Sequence, residues 1–328
     1  MRPARTIART ANARSRVRRL GVSLLLLLAG MHAPFGPQAD VRGKPNPVRV
    51  IIVRSSRATP YVNAAAALEK SLATASIRAR TFDLASIEDD RPLPTAKVYV
   101  AVGTPAAVKL HARVAPPARL VYCLVTDPRA YGLTKEPTCS GVTADVPVRA
   151  QFDLMKTALP AMKKVGLLYR SRSARSRRML HEARDALPPG WSIEAVDLGK
   201  YRGATEAIQA LLAKRVGAVW TFSDREVYDR AVLTTLLKYA LARRTPVVGF
   251  SPKIVRSGGL LGTGIDPATQ GRQAAALAKR ILADGKARAV VIEPQYEISV
   301  NLKIARVLGI RLPSSLVDRA KHRYGGEK

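Results

Sequence analysis

The chain has 328 residues, 47% of them hydrophobic and 24% charged, which excludes a disordered tail and leaves room for two globular halves. Lys and Arg number 55 against 24 Asp and Glu, a formal net charge of +31, and setting aside the nine bases and one acid of residues 1–45 still leaves an excess of 23. Such a surface favours acidic partners, whereas two cysteines and four scattered histidines exclude a disulfide scaffold and supply no metal cluster, so neither metal nor cofactor is expected.

The first twenty residues carry Arg2, Arg5, Arg9, Arg14, Arg16, Arg18 and Arg19 and no acid, and the apolar block Leu20 to Gly30, with five consecutive leucines, follows directly. That block is about half the roughly 20 residues of a membrane-spanning helix. It reads as an export signal, with cleavage after Ala33 or Ala39, and residues 1–45 form signal peptide and linker. A basic tail for nucleic acid is the alternative, but a leucine run serves no purpose there. No later stretch is long and apolar enough to span a bilayer.

After the Gly/Pro-containing linker Gly36 to Pro47, short Val/Ile runs alternate with Ala/Leu segments of helical spacing, the signature of parallel sheets covered by helices. Val48–Val53, Lys97–Val102 and Leu120–Val125 read as strands, with Ala64–Ala75 and Pro105–Ala112 as helices. The rhythm restarts after Gly141. It gives helix Ala150–Leu159, strand Lys164–Tyr169, helix Arg175–Leu187, strand Ser192–Asp197, helix Ala204–Lys214 and strand Ala218–Phe222. Helix Tyr228–Arg243, strands Pro246–Phe250 and Gly259–Thr263, and helix Thr269–Ala283 follow. The fold class is therefore α/β, two doubly wound lobes with a cleft between the carboxyl ends of their sheets.

Signatures of several enzyme classes are missing: no P-loop, no G-x-G-x-x-G after the first strand, no G-x-S-x-G and no H-E-x-x-H. The acidic run Glu88-Asp89-Asp90 lies in a polar stretch and reads as solvated loop. What stands out is polar residues placed just beyond strand ends. Val102-Gly103-Thr104-Pro105-Ala106-Ala107 reads as strand, turn and helix start, and Val125-Thr126-Asp127-Pro128 repeats the arrangement. With Lys163-Lys164-Val165-Gly166-Leu167-Leu168-Tyr169, Gly264-Ile265-Asp266, Gly271-Arg272-Gln273 and the tail Val300 to Ile310 with Leu312-Pro313 and Ser315-Leu316, the sequence resembles a family of ABC-transporter substrate-binding proteins. That family includes tryptophan and tyrosine uptake proteins and has the type I periplasmic-binding-protein fold. The likeness runs from about Val48 to Ala320.

The resemblance implies a periplasmic receptor, not an enzyme, that binds an amino acid or related carboxylate and delivers it to a membrane permease. A receptor that signals to a membrane sensor is the alternative. It also implies an N-terminal lobe of residues 46–142 plus 266–293 and a C-terminal lobe of 143–265 plus 294–328, joined by a hinge.

Free donors at helix N-termini suit a carboxylate, an acid suits an ammonium, and aromatics suit a side chain. Thr104 is a candidate carboxylate contact or an ordinary helix cap. Asp127 pairs a ligand amine or caps the turn at Pro128. Ser223 and Asp224 contact ligand, or Ser223-x-x-Glu226 forms a capping box. Asp266 touches ligand or bonds within the hinge. Ser55 lies in Arg54-Ser55-Ser56-Arg57, where a guanidinium favours an anionic ligand or simply faces solvent. Tyr61, Phe222 and Phe250 are the aromatics nearest the expected cleft, as platforms or as core. Where amino-acid-binding relatives carry an Asp, this chain has Ser251-Pro252, which weakens the case for a zwitterion.

Cys123 and Cys139 either bridge or remain buried thiols. The cluster Arg170, Arg172, Arg175, Arg177 and Arg178 opposes the dipole of the helix it starts, so it is solvated or faces an acidic membrane or transporter surface. Nucleic acid is not an expected partner, because no aromatics are interleaved with the bases.

Overall fold

The computed structural model describes residues 48–284 and 289–326; the Leu20–Gly30 block, its cleavage points and the linker lie outside the described residues. The first sheet starts with β1 (Val50–Arg54), α1 (Thr59–Ala73), β2 (Ala79–Asp83), β3 (Val98–Val102), α2 (Thr104–His111), β4 (Arg119–Val125) and β5 (Cys139–Thr143). All five residues of β3 and the first four of β1 are buried, as strands covered on both faces require. Helix α1 begins five residues ahead of the expected Ala64, because Pro60 presets the dihedral of its first turn. Strand β2, Ala-Arg-Thr-Phe-Asp, has no fully buried residue and forms the sheet edge, so it lacks the apolar run that marks its neighbours.

The second sheet is built from α3 (Val148–Ala158), β6 (Lys164–Tyr169), α4 (Ala174–Asp185), β7 (Ser192–Asp197), α5 (Ala204–Ala213), β8 (Ala218–Trp220), α6 (Arg230–Ala242), β9 (Val247–Gly249), α7 (Pro252–Arg256) and β10 (Leu261–Ile265). Helix α8 (Pro267–Asp284) and β11 (Val291–Ile292) then return to the first sheet, where α8 packs on α1 and β11 pairs with β5. The chain ends with β12 (Tyr296–Asn301), α9 (Leu302–Leu308), α10 (Ser314–Arg319) and β13 (His322–Tyr324), whose strands join the second sheet. These closing elements are too short for periodicity to announce.

Strand order is β11-β5-β4-β3-β1-β2 in the first sheet, all parallel, and β13-β12-β10-β9-β8-β6-β7 in the second, where only β10 and β12 run antiparallel. Each sheet therefore reverses its winding next to its first strand, between β1 and β3 and between β6 and β8. A crevice opens at such a switch point because the flanking helices leave on opposite faces. The chain passes between the sheets three times, at 143–148, 265–267 and 292–296.

Two apolar clusters sandwich the first sheet, one around Ile52, Leu68 and Ala274, the other around Ile51, Leu110 and Tyr122. The second sheet has a larger core, with a ladder of rings running from Trp191 through Phe152, Trp220, Phe222 and Tyr228 to Phe250 at centroid spacings of 5.3 to 6.4 Å. The polar ends of the two buried polar rings are satisfied: Trp220 Nε1 donates to Gln151 Oε1 at 2.9 Å and the Tyr228 hydroxyl donates to the Leu168 carbonyl at 3.1 Å.

The thiols of Cys123 and Cys139 are both free and buried. Cys139 pairs with Leu120, three residues along β4 from Cys123, or about 10 Å, and the two side chains belong to the clusters on opposite faces of the sheet. A disulfide, which needs Cα atoms within about 7 Å, is therefore ruled out. Burial pushes the Cys123 thiol up to about 12.

Candidate ligand-binding cleft

At the carboxyl end of β1, Ser55 holds the switch point of the first sheet together. Its hydroxyl donates to the Val102 carbonyl at 2.9 Å and accepts from the Ala106 N–H at 3.1 Å, so it caps α2 from another strand. The residue in the capping position itself is Gly103, at φ 97°, and Thr104 makes no side-chain cap. A Cβ on Gly103 would stand 2.5 Å from Ser55 Oγ and 2.6 Å from the Tyr61 ring, so glycine is required by conformation and by space. Ser55, Tyr61 and Thr104, expected separately, thus meet at one point. Of the three hydroxyls only that of Ser55 is bonded to the protein, which leaves those of Tyr61 and Thr104 available.

Strand β4 ends differently. Leu124 adopts φ 54°, the register with β5 shifts there, and the fully buried Gln270 of α8 takes up the loosened backbone, accepting from Leu124 N and donating to the Thr143 carbonyl, both at 2.9 Å. Asp127 follows, also left-handed at φ 53°, and caps nothing. Its carboxylate is bonded to the Arg178 guanidinium and lies 3.9 Å from Arg175, both on α4 of the second sheet. Arg175 also binds Asp145 Oδ1 at 2.7 Å and the Ser223 carbonyl at 2.5 Å, and Asp145 accepts from the Asp127 N–H. The loops at the carboxyl ends of the two sheets are therefore tied to each other by ion pairs. Beside this bridge a cavity of about 680 Å³ opens between Pro128, Val146, Met179 and Val291, along two of the three crossings.

In the second sheet most predicted polar residues are already bonded. Asp224 is buried, accepting from Ser173 Oγ at 3.1 Å and Glu226 N at 2.9 Å. That turn replaces the expected Ser223 capping box: the helix starts later, with Asp229 accepting from Val232 N, and Ser223 is exposed. Ser173 caps α4 and Ser251 caps α7. Asp266 receives both the N–H and the hydroxyl of Thr269, at 2.9 and 2.8 Å. Burial disfavours its charge, but these bonds outweigh burial and hold its carboxyl below the ordinary range. Phe222 is core, while Phe250, half-buried, ends the ring ladder.

The Asp127–Arg178 and Asp145–Arg175 pairs and the Gln270 brace were not among the sequence candidates. Nothing local marks them, since each joins residues at least 30 positions apart. Among the described residues no group of three or more His, Cys, Asp or Glu is placed to hold a metal ion, and no helix is long and apolar enough to cross a membrane.

The sequence matches the family model described as ABC transporter substrate binding protein over residues 47–323. No curated protein matches it. Among solved structures, a ligand-free, open substrate-binding protein with adhesive properties from Clostridium difficile is similar at TM-score 0.68 and 18% identity, over 85% of this chain and 99% of that one. A conserved domain protein from Vibrio cholerae gives TM-score 0.60 at 20% identity, over 84% and 99% of the two chains. A domain from Streptococcus pneumonia solved with L-Trp gives 0.58 at 18%, over 84% and 100%.

Proposed function

The chain belongs to the ABC transporter substrate-binding protein family, and on that premise we propose that it is an exported, periplasmic solute receptor that binds an amino acid or related carboxylate and serves an importer permease. The supporting observation is that the carboxyl ends of two doubly wound sheets meet across three chain crossings, an arrangement in which two halves close on a guest by bending the crossings. The proposed halves are residues 46–142 plus 266–293 and 143–265 plus 294–328. The receptor binds without catalysing, and its contacts are Thr104 and Tyr61 from one half with Ser223 and Phe250 from the other. Ser55, Ser251, Asp127, Asp224 and Asp266, each with protein partners, shape the walls around them. A receptor reporting to a membrane sensor is the second reading, favoured by Ser251-Pro252 at the end of β9, where amino-acid-binding relatives are expected to carry an acid.

A thermal-shift screen over aromatic, aliphatic and anionic small molecules tests this. A ligand at a hundred times its Kd adds about 2.7 kcal/mol to the native state. The melting temperature then rises by several degrees, and Thr104→Ala reduces the rise without lowering the ligand-free midpoint. A panel that moves nothing would refute the receptor reading.

A further inference from the structure

The first strands of the two sheets end alike. β1 runs into Arg54-Ser55-Ser56-Arg57 and β6 into Arg170-Ser171-Arg172-Ser173, each beside the switch point of its own sheet. In each turn one arginine and one serine are committed to the protein. Arg54 Nε donates to Asp83 at 2.5 Å and Arg170 Nε to the Glu226 carbonyl at 2.6 Å, while Ser55 caps α2 and Ser173 caps α4. The second arginines are far more exposed, although Arg57 Nε also donates to Asp83, at 2.8 Å. The Arg57 side chain is 84% exposed and shares Asp83 with Arg54, and that of Arg172 is 75% exposed and approaches Glu226 only to 3.8 Å.

Carboxylates at the same ends of the strands are used in the opposite sense. Asp83, Asp127 and Asp145 are taken by arginines, and Asp197, Asp224 and Asp266 accept hydroxyl or N–H donors of the chain. Six aspartates there already have partners, so an incoming ammonium is left with the exposed Glu226 and Glu293, the first of them already facing Arg172, whereas an incoming carboxylate meets two guanidiniums with donors to spare. A cation buried without its own counter-ion loses affinity, and a carboxylate received by planar guanidinium forks gains it.

We propose that the ligand is a small organic carboxylate lacking an ammonium group, gripped by Arg57 from the first sheet and Arg172 from the second as the halves close. This deepens the receptor reading and rests on it. The two turns divide the work: the inner residues rigidify the switch points, and the outer arginines carry the charge that the ligand neutralises.

Calorimetric titration of the purified chain with matched pairs tests the assignment: glutarate against glutamate, 3-phenylpropionate against phenylalanine, and indole-3-propionate against tryptophan. The expected result is that the member without the amine binds at least about tenfold tighter in any pair that binds, a difference of about 1.4 kcal/mol. Arg57→Gln and Arg172→Gln should each weaken that binding about tenfold or more, with a single cooperative melt as evidence of folding and at most a small drop in midpoint for Arg57→Gln, which loses an exposed ion pair to Asp83. An amino acid that binds as tightly as its analogue overturns the ligand class and leaves the receptor reading standing. Unchanged affinity in both variants overturns the clamp. Binding by no member of any pair overturns the ligand class, while the receptor reading is decided separately by the wider thermal-shift panel.

Discussion

Gly271→Ala sets an intrinsic gain against a steric loss, and the structure decides the sign. Gly271 lies in the second turn of α8, the helix that carries the chain from β10 back to the first sheet, and it is buried against α1. In an isolated helix, alanine is favoured over glycine by about 1 kcal/mol. Here, however, a Cβ at position 271 would stand 2.1 Å from the Ala64 carbonyl oxygen and 2.9 Å from its carbon. Backbone cannot swing aside as a side chain does, so α1 and α8 must separate by more than an ångström along a buried seam. Overpacking of this kind costs typically 1–3 kcal/mol, and disturbing a seam that spans both helices puts it at or beyond the upper end. Subtracting the propensity gain leaves a net loss of about 2 kcal/mol. With a shift of about 2–4 °C per kcal/mol for a domain of roughly this size, the midpoint falls by about 4–8 °C in a calorimetric or circular-dichroism melt. A midpoint equal to or above that of the wild type would show that the close approach is not real and that propensity governs the position.

Ser55→Ala removes the hydroxyl that caps α2 and orphans the Ala106 N–H, so it should cost about 1–2 kcal/mol in denaturant unfolding, whereas Thr104→Ala, which removes no cap, should cost less than about 0.5 kcal/mol. Asp83 accepts from Arg54 and then Arg57, which together lower its carboxyl to about 2, below the usual carboxylate range. A depressed native value means that this contribution to stability is complete above an unfolded value of about 3.9 and is lost as pH falls toward 2. The difference in melting temperature between wild type and Asp83→Asn should thus be constant near neutral pH and shrink between about pH 4 and pH 2.

The amino-acid sequence determined the elements that are continuous in the chain and complete in themselves. Buried strands such as Val98–Val102 and Lys164–Tyr169 must be apolar because both their faces are covered, so β3 and β6 could be read with little error. The Thr104-Pro105 helix start and the restart of the α/β rhythm near Gly141 were readable for the same reason: their physics is local. Edge strand β2, half-exposed, and the brief β11 and β13 carry no such signal, because their stability comes from a neighbour already in place.

Side-chain commitments belong to the tertiary structure alone. A sequence offers Thr104 as the cap of α2, and only the parallel pairing of β1 with β3 brings Ser55 Oγ to the Ala106 N–H in its place. It offers Asp127 to a ligand amine, and only the meeting of the two sheets delivers Arg178 to it from 51 positions away. It leaves a Cys123–Cys139 bridge open, and the pleat closes that possibility by sending the two thiols to opposite faces. Hydrogen bonds and ion pairs act over about 3 to 4 Å, so partners distant in sequence are assigned only when packing has fixed where each backbone lies.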